Sequence, residues 1–236
     1  FLEFFRRMIR PKGDLFELNL DYFTHHRKGV KMAWNDGAPI VEPFFSALLE
    51  KELGPRRQKD EPLTPRHENI ARSLQAVTEE IIIHLLNRLH AKTRTPNLCM
   101  TGGVAMNSVA NGKITSQTPF TQVYIPAGAA DNGTSFGGAF HVWNRALEKP
   151  RGFVQDHAYW GCAFDDDACA AAIRAAGLPF ELFGEEALLD RTVDFIIGGR
   201  VVGWFQGRME FGARALGNRS LIADPRRCDM RDIINL

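Results

Sequence analysis

The stretch Leu98-Cys-Met-Thr-Gly-Gly-Val-Ala-Met-Asn107 decides how this chain is read. A short apolar run ends in a glycine pair, Gly102 and Gly103, and a helix-compatible stretch follows at once. Glycine at a strand-to-helix junction lets the backbone come close to a ligand, and the free N–H groups of the new helix face it with partial positive charge. Downstream, Val123-Tyr-Ile-Pro-Ala-Gly-Ala-Ala-Asp-Asn-Gly-Thr-Ser-Phe-Gly-Gly138 repeats the plan: a strand, a glycine-rich turn carrying Asp131, and a helix. One such turn is a weak signal, because most glycine turns only turn the chain. Two in tandem predict a nucleotide or phosphate site.

A third unusual segment runs from Gly199 to Pro225. It reads as a strand over Val201 to Gln206 and a second strand-like run over Ser220 to Ala223. The loop between them carries Arg208, Arg214 and Arg219 among glycines. Guanidinium forks offer paired donors to a phosphate or carboxylate, so this pattern points to an anion site. The competing reading is a basic surface hairpin. The apolar flanks argue against it, because a partly buried loop makes unpaired arginines costly.

Taken together, the three segments resemble one family closely, the O-carbamoyltransferases of the nodulation-factor and antibiotic-tailoring type (NodU/TobZ-like). TGGVAMNSVANGKI is similar to its Gly-Gly-Val-Ala-x-Asn stretch, and YIPAGAADNGTSFGGAF to its metal and nucleotide loop. GWFQGRMEFGARALGNRSLIADPR resembles its long arginine signature, the most specific of the three. The resemblance runs along nearly the whole chain. The residue before Arg214 is usually proline in that family and is Ala213 here, which loosens one turn without removing a donor.

The resemblance implies an α/β fold: the second lobe of an actin-like, sugar-kinase-like ATPase over residues 1–149, then the start of a smaller YrdC-like, adenylate-forming domain over 150–236. It implies transfer of a carbamoyl group from carbamoyl phosphate, through an ATP-derived carbamoyl-adenylate, to a hydroxyl of a sugar-like or antibiotic-like small molecule. Arg208, Arg214 and Arg219 would hold the phosphate-bearing substrate and spread charge as pyrophosphate leaves. Gly102, Gly103, Asn107, Gly133 and Thr134 would line the ATP. Asp131 matches the family's acidic ligand to a divalent metal, iron in the intact protein. The family's His-x-x-x-His pair is not found: His25 and His26 are adjacent, and His84 and His90 are six apart, so neither pair puts two imidazoles on one helix face. The chain opens on Phe1 and stops just after the arginine signature, so it reads as an interior piece of a longer protein. Alone it is expected to lack a bound metal and to be inactive. A second copy, forming a homodimer, is one candidate to cover the open edge of its incomplete small domain.

Composition excludes some classes. In 236 residues, 44% hydrophobic with a formal net charge of +1, one or two compact domains are expected. That balance gives no electrostatic reason to propose nucleic-acid or membrane binding. No apolar run approaches the roughly 20 residues a membrane helix needs, and no signal peptide is readable. Cys99, Cys162, Cys169 and Cys228 are scattered, which suits free thiols in the cytoplasm rather than a zinc site.

The organisation follows from caps and periodicity. Thr64-Pro65 begins a helix, and Ile70, Leu74, Val77, Ile81, Leu85 and Leu89 recur at steps of three and four, so it runs to about His90. Gln75 and Glu79 fall away from that stripe and are expected on a solvated face. Residues 21–63 look like an insertion, where Tyr22 or Trp34 offers a ring for a sugar-like acceptor or packs as core. Asn35-Asp36-Gly37 is a turn signal, and the charged tract 54–62 is expected to be exposed. A boundary falls between Leu147 and Gln155. Beyond it, Asp165 starts an alanine-rich helix stopped at Gly177, and Glu185 to Ile197 forms another. Two other functions stay open: threonylcarbamoyl transfer to tRNA by a related ATPase-fold enzyme, and a non-catalytic nucleotide-binding module.

Overall fold

A computed structural model describes residues 1–58 and 60–235; Lys59, in the charged tract, lies outside them. The chain is mixed α/β with two-stranded sheets among the described residues, and it forms two compact units. The first comprises Phe1–Cys99 and Asn107–Tyr124, and the second Met100–Met106 and everything from Ile125 onward.

The first unit begins with helix α1 (Leu2–Met8) and an antiparallel hairpin, β1 (Ile9–Lys12) and β2 (Leu15–Leu18). A short α2 (His25–Lys28) leads to a second hairpin, β3 (Met32–Asn35) and β4 (Ala38–Val41), whose residues are all exposed. Its two-residue turn puts both Asp36 (φ 47°) and Gly37 (φ 77°) in the left-handed region, the geometry that matches strand twist and selects Asp-Gly. After α3 (Ala47–Leu53) comes α4 (Pro65–Thr93), the long helix of this unit.

Helix α4 starts where the sequence places it. Pro65 occupies the first turn, and the His67 imidazole accepts from the Thr64 backbone N–H at 3.1 Å, closing a capping box. It stops at Arg94, whose left-handed φ of 53° lets its N–H return to the His90 carbonyl. Its buried residues are Val77, Ile81 and Leu86, whereas Leu74 and Leu89, expected in the stripe, are more than 40% exposed. A helix turns 3.6 residues, not 3.5, so a stripe projected over about five turns drifts off the core face. Val77 and Ile81 pack on Phe4, Phe5, Met8 and Tyr22. Tyr22 stands edge-on to Phe4 at 5.1 Å, so it is core and not a free ring for an acceptor; Trp34 is 68% exposed.

This unit also holds a parallel strand pair, β5 (Asn97–Cys99) and β6 (Gln122–Tyr124), with Leu98 opposite Val123. Two single-turn helices, α5 (Ser108–Asn111) and α6 (Ile114–Gln117), join the strands, and Leu98, Ala110, Ile114 and Phe120 are buried. The fully buried Ile114 and Phe120 supply the apolar surface that holds this short crossover.

The second unit holds α7 (Thr134–His141), which runs into a π-helical turn at Val142–Ala146. Next come α8 (Asp166–Ala175), α9 (Glu185–Ile197), the antiparallel strands β7 (Val202–Phe205) and β8 (Arg219–Ile222), and α10 (Met230–Ile234). The carboxylate of Asp165 accepts from the Ala168 N–H at 2.8 Å and caps α8, while Gly177 closes it at φ 66°. The strands flanking the arginines fall within a residue of their expected bounds. Ile81→Ala should destabilise the first unit by about 2–5 kcal/mol, and Leu74→Ala by less than about 1 kcal/mol, in urea unfolding followed at Tyr22.

Candidate active site in the glycine turns and the arginine loop

In the second unit the glycine turns and the arginine loop come together. The backbone N–H of Gly102, at φ 101°, donates to the Ala129 carbonyl at 2.7 Å, and the Thr101 hydroxyl donates to the same oxygen at 2.9 Å. The second turn is equally tight: a Cβ on Gly133 would sit 2.1 Å from the Gly128 carbonyl oxygen, so only glycine fits. Asp131 is exposed and opens a 3-10 turn over Asp131–Gly133. The Thr134 hydroxyl donates to the Asp131 carbonyl at 2.6 Å, which fixes the start of α7. Gly103 has open space where its Cβ would be.

The arginine loop rests on the second turn. A Cβ on Gly212 (φ 148°) would lie 2.6 Å from the Ala127 carbonyl oxygen, and one on Gly128 would lie 3.2 Å from the Phe211 ring. Phe211 also meets Phe136 of α7 edge-on at 4.5 Å. The loop is sewn to residues 158–163 by backbone bonds, Phe211 N–H to Ala158, Met209 N–H to Cys162 and Gly161 N–H to Met209. No sequence signal marked that segment.

The three arginines differ. Arg208 donates to the Gly161 and Trp160 carbonyls, both at 3.1 Å. Arg219 donates to the carbonyls of Gln206, Asn218, Gly207 and Cys162, and lies 3.5 Å above the Phe205 ring centre. Arg214 is exposed and makes a single 3.3 Å bond to the Met106 carbonyl among the described residues. The burial expected of these arginines is therefore partial: Arg208 and Arg214 are exposed, and only Arg219 is half-buried.

Two buried acids were not foreseen. Glu210 Oε1 accepts from the backbone N–H groups of Leu216 (2.7 Å), Asn218 (2.8 Å) and Arg219 (3.3 Å). Burial alone would raise its pKa, but these amides and its own outweigh that and hold it at about 2. Asp224 is held at about 2 by the Arg226 guanidinium and the Arg226 N–H. Each had a faint signal: Glu210 lies between apolar Met209 and Phe211 in a glycine-rich loop, and Asp224-Pro-Arg is an Asx-turn pattern.

Asn107 belongs to the first unit. Its side chain caps α5 through the Ala110 N–H and exchanges hydrogen bonds with Gln75 at 2.9 and 3.1 Å. Gln75 in turn donates to Glu79 at 2.7 Å, and Glu79 pairs with Lys113. Gln75 and Glu79 are thus not on a solvated face; the Glu79 side chain is 13% exposed, and Lys113, then Gln75, lower its pKa. Alternation of apolar residues cannot show that a polar helix face will meet a partner from another segment.

The family model described as carbamoyltransferase N-terminus matches residues 11–140, more than half of the chain. The chain belongs to the carbamoyltransferase family. The carbamoyltransferase C-terminus model matches residues 193–236, which contain the whole arginine loop. An uncharacterized protein of Synechocystis is 36% identical over 227 residues, 94% of this chain and 35% of its own length. Nodulation protein NolNO of Sinorhizobium fredii is 36% identical over 227 residues, 95% of this chain and 32% of its own. A 3'-hydroxymethylcephem-O-carbamoyltransferase of Amycolatopsis lactamdurans is 32% identical over 138 residues, 58% of this chain and 25% of its own. The chain spans about a third of the length of the first two relatives.

Among the described residues no three His, Cys, Asp or Glu side chains cluster, so Asp131 does not belong to a ready-made set of metal ligands. No helix of the described residues is long and apolar enough to cross a membrane.

Two outcomes follow from this geometry. Gly133→Ala should destabilise the second unit by about 1–3 kcal/mol through its clash with Gly128, whereas Gly137→Ala, in open space on α7, should stabilise by up to about 1 kcal/mol; thermal melts of both variants check this. The pKa values of Glu210 and Asp224 are depressed from ordinary values of 4.5 and 3.8 to about 2. Their stabilisation is present above the ordinary values and lost as pH falls toward 2. The melting temperature should therefore drop between about pH 4.5 and 2, and by less in the Glu210→Gln, Asp224→Asn double variant.

Proposed function

We propose that the whole protein transfers a carbamoyl group from carbamoyl phosphate, through a carbamoyl-adenylate made from ATP, to a hydroxyl of a sugar-like or antibiotic-like small molecule. One observation carries this: a loop bearing three arginines, locked by its own buried carboxylate, packs on a glycine turn of the same unit. Such a loop suits an anion rich in oxygens. The Amycolatopsis relative, named as an O-carbamoyltransferase of a hydroxymethyl compound, supports a hydroxyl acceptor. The actin-like lobe over 1–149 and the adenylate-forming domain over 150–236 are part of the same proposal, as is a cytoplasmic location, which suits the four free cysteines.

The chemistry needs charge control more than covalent help. Carbamoyl phosphate gives up its phosphate to water, and an oxygen of the resulting carbamate attacks the α-phosphorus of ATP, displacing pyrophosphate. Arg214 grips the phosphate-bearing substrate, and Arg208 and Arg219 add positive potential from fixed positions beside it. The turns at Gly102, Gly103, Gly133 and Thr134 let nucleotide phosphates approach the backbone. In the second step the acceptor oxygen attacks the carbamoyl carbon, AMP leaves, and the hydroxyl proton is lost to base or solvent.

Full-length protein incubated with labelled carbamoyl phosphate, ATP and a panel of hydroxylated acceptors should release pyrophosphate only when carbamoyl phosphate is present. Pyrophosphate release that ignores carbamoyl phosphate would sink the proposal. Arg214→Lys should lower adenylate formation about as much as Arg214→Ala, on the order of 10-fold or more, because lysine cannot reproduce the paired donors. Transfer from pre-made carbamoyl-adenylate should survive both changes.

A further inference from the structure

We propose that Glu210 is the positioning residue of the arginine loop: its carboxylate closes residues 210–219 into a fixed ring that presents Arg214 to a phosphate-class oxyanion. This rests on the functional reading above for the identity of the anion, though not for the loop's construction.

A single oxygen, Oε1, accepts all three backbone N–H bonds, from Leu216, Asn218 and Arg219. A neutral carbonyl oxygen has two lone pairs and a weaker field, so three donors converging on one atom call for an anion. The amides at 216–219 thus form an anion-binding nest already filled by the chain's own side chain. A substrate phosphate cannot use those N–H groups, so on this loop guanidinium is left to hold it. The ring they close contains Arg214, and Gly212 and Gly217 supply its left-handed corners at φ 148° and 105°.

The other two arginines are committed elsewhere. Arg208 and Arg219 point their donors at backbone carbonyls of the same unit, and Arg219 also lies on Phe205. Arg214, with one long bond to Met106, keeps most of its five donors for a ligand. A flexible loop carrying such a group would lose affinity to ordering on binding, and Glu210 removes that loss in advance. The buried carboxylate lies three residues from the bend at Ala213, close enough to set the direction in which Arg214 leaves the loop.

The test compares wild type, Glu210→Gln, Glu210→Asp and Arg214→Gln in this chain. Calorimetry measures binding of inorganic pyrophosphate and carbamoyl phosphate, and amide hydrogen exchange is read at Leu216, Asn218 and Arg219. Glu210→Gln should speed exchange at those amides and weaken anion binding about tenfold, and Glu210→Asp, which keeps the charge but withdraws the oxygen, should fall between. Arg214→Gln should lose binding by at least as much while the amides stay protected. If Glu210→Gln does not fold, the Glu210→Asp comparison decides by the same two readouts. Faster exchange with unchanged affinity would make Glu210 merely structural and overturn the proposal, as would wild type that binds neither anion. Pyrophosphate bound through Arg214 without carbamoyl phosphate would leave the positioning role standing and remove the carbamoyl-transfer reading instead.

Discussion

The carbonyl oxygen of Ala129 holds the second unit in register. It takes one bond from the Gly102 backbone and another from the Thr101 hydroxyl, so two glycine turns far apart in sequence are fastened to one atom. Ala129 is almost wholly buried, where an unsatisfied carbonyl would be costly, and the two hydrogen bonds satisfy both of its lone pairs. Two contacts beside this joint leave no room for a side chain. Gly133 lies under the Gly128 carbonyl and Gly212 against that of Ala127, so the arginine loop inherits its position from the turns.

Charge is handled differently in the two units. On the first, most ion pairs join exposed partners, such as Arg10 with Glu17 or Arg6 with Glu3, and pairs of that kind contribute little in water. The exception is the Gln75, Glu79, Asn107 and Lys113 network, where a half-buried helix face ties α4 to the residues after the first glycine turn. In the second unit the buried acids Glu210 and Asp224 fold around local backbone. Glu210 gathers the amides of its own loop, and Asp224 gathers Arg226 two residues away. Those acids give short, glycine-rich segments a stiffness that apolar packing could not, because few large side chains are available there.

That stiffness bears on function. Phosphoryl and carbamoyl transfer leave little covalent chemistry for a protein; placement of donors against developing charge does most of it. In the proposed reaction such placement matters, and the arginine loop lies wholly within the region matched by the C-terminal family model. In that proposal the arginines whose donors are bound to carbonyls act as fixed sources of potential, and the exposed one closes on the ligand.

The sequence by itself determined the elements whose signals are local. The proline and threonine that start α4, the Asp-Gly turn of the β3–β4 hairpin, the Asp165 cap of α8, and the strands flanking the arginines are all set by neighbours within a few residues. The three motifs were also legible, since glycine and arginine at fixed spacing are written in the chain. Tertiary structure alone decided what those residues touch. Tyr22 became core rather than a free ring, Gln75 and Glu79 found Asn107 and Lys113, and Glu210 became the hub of the arginine loop. The physical reason is the range of the forces involved. Caps and turns are satisfied within one or two turns of backbone, whereas a buried carboxylate or amide takes whichever donor the fold brings to it.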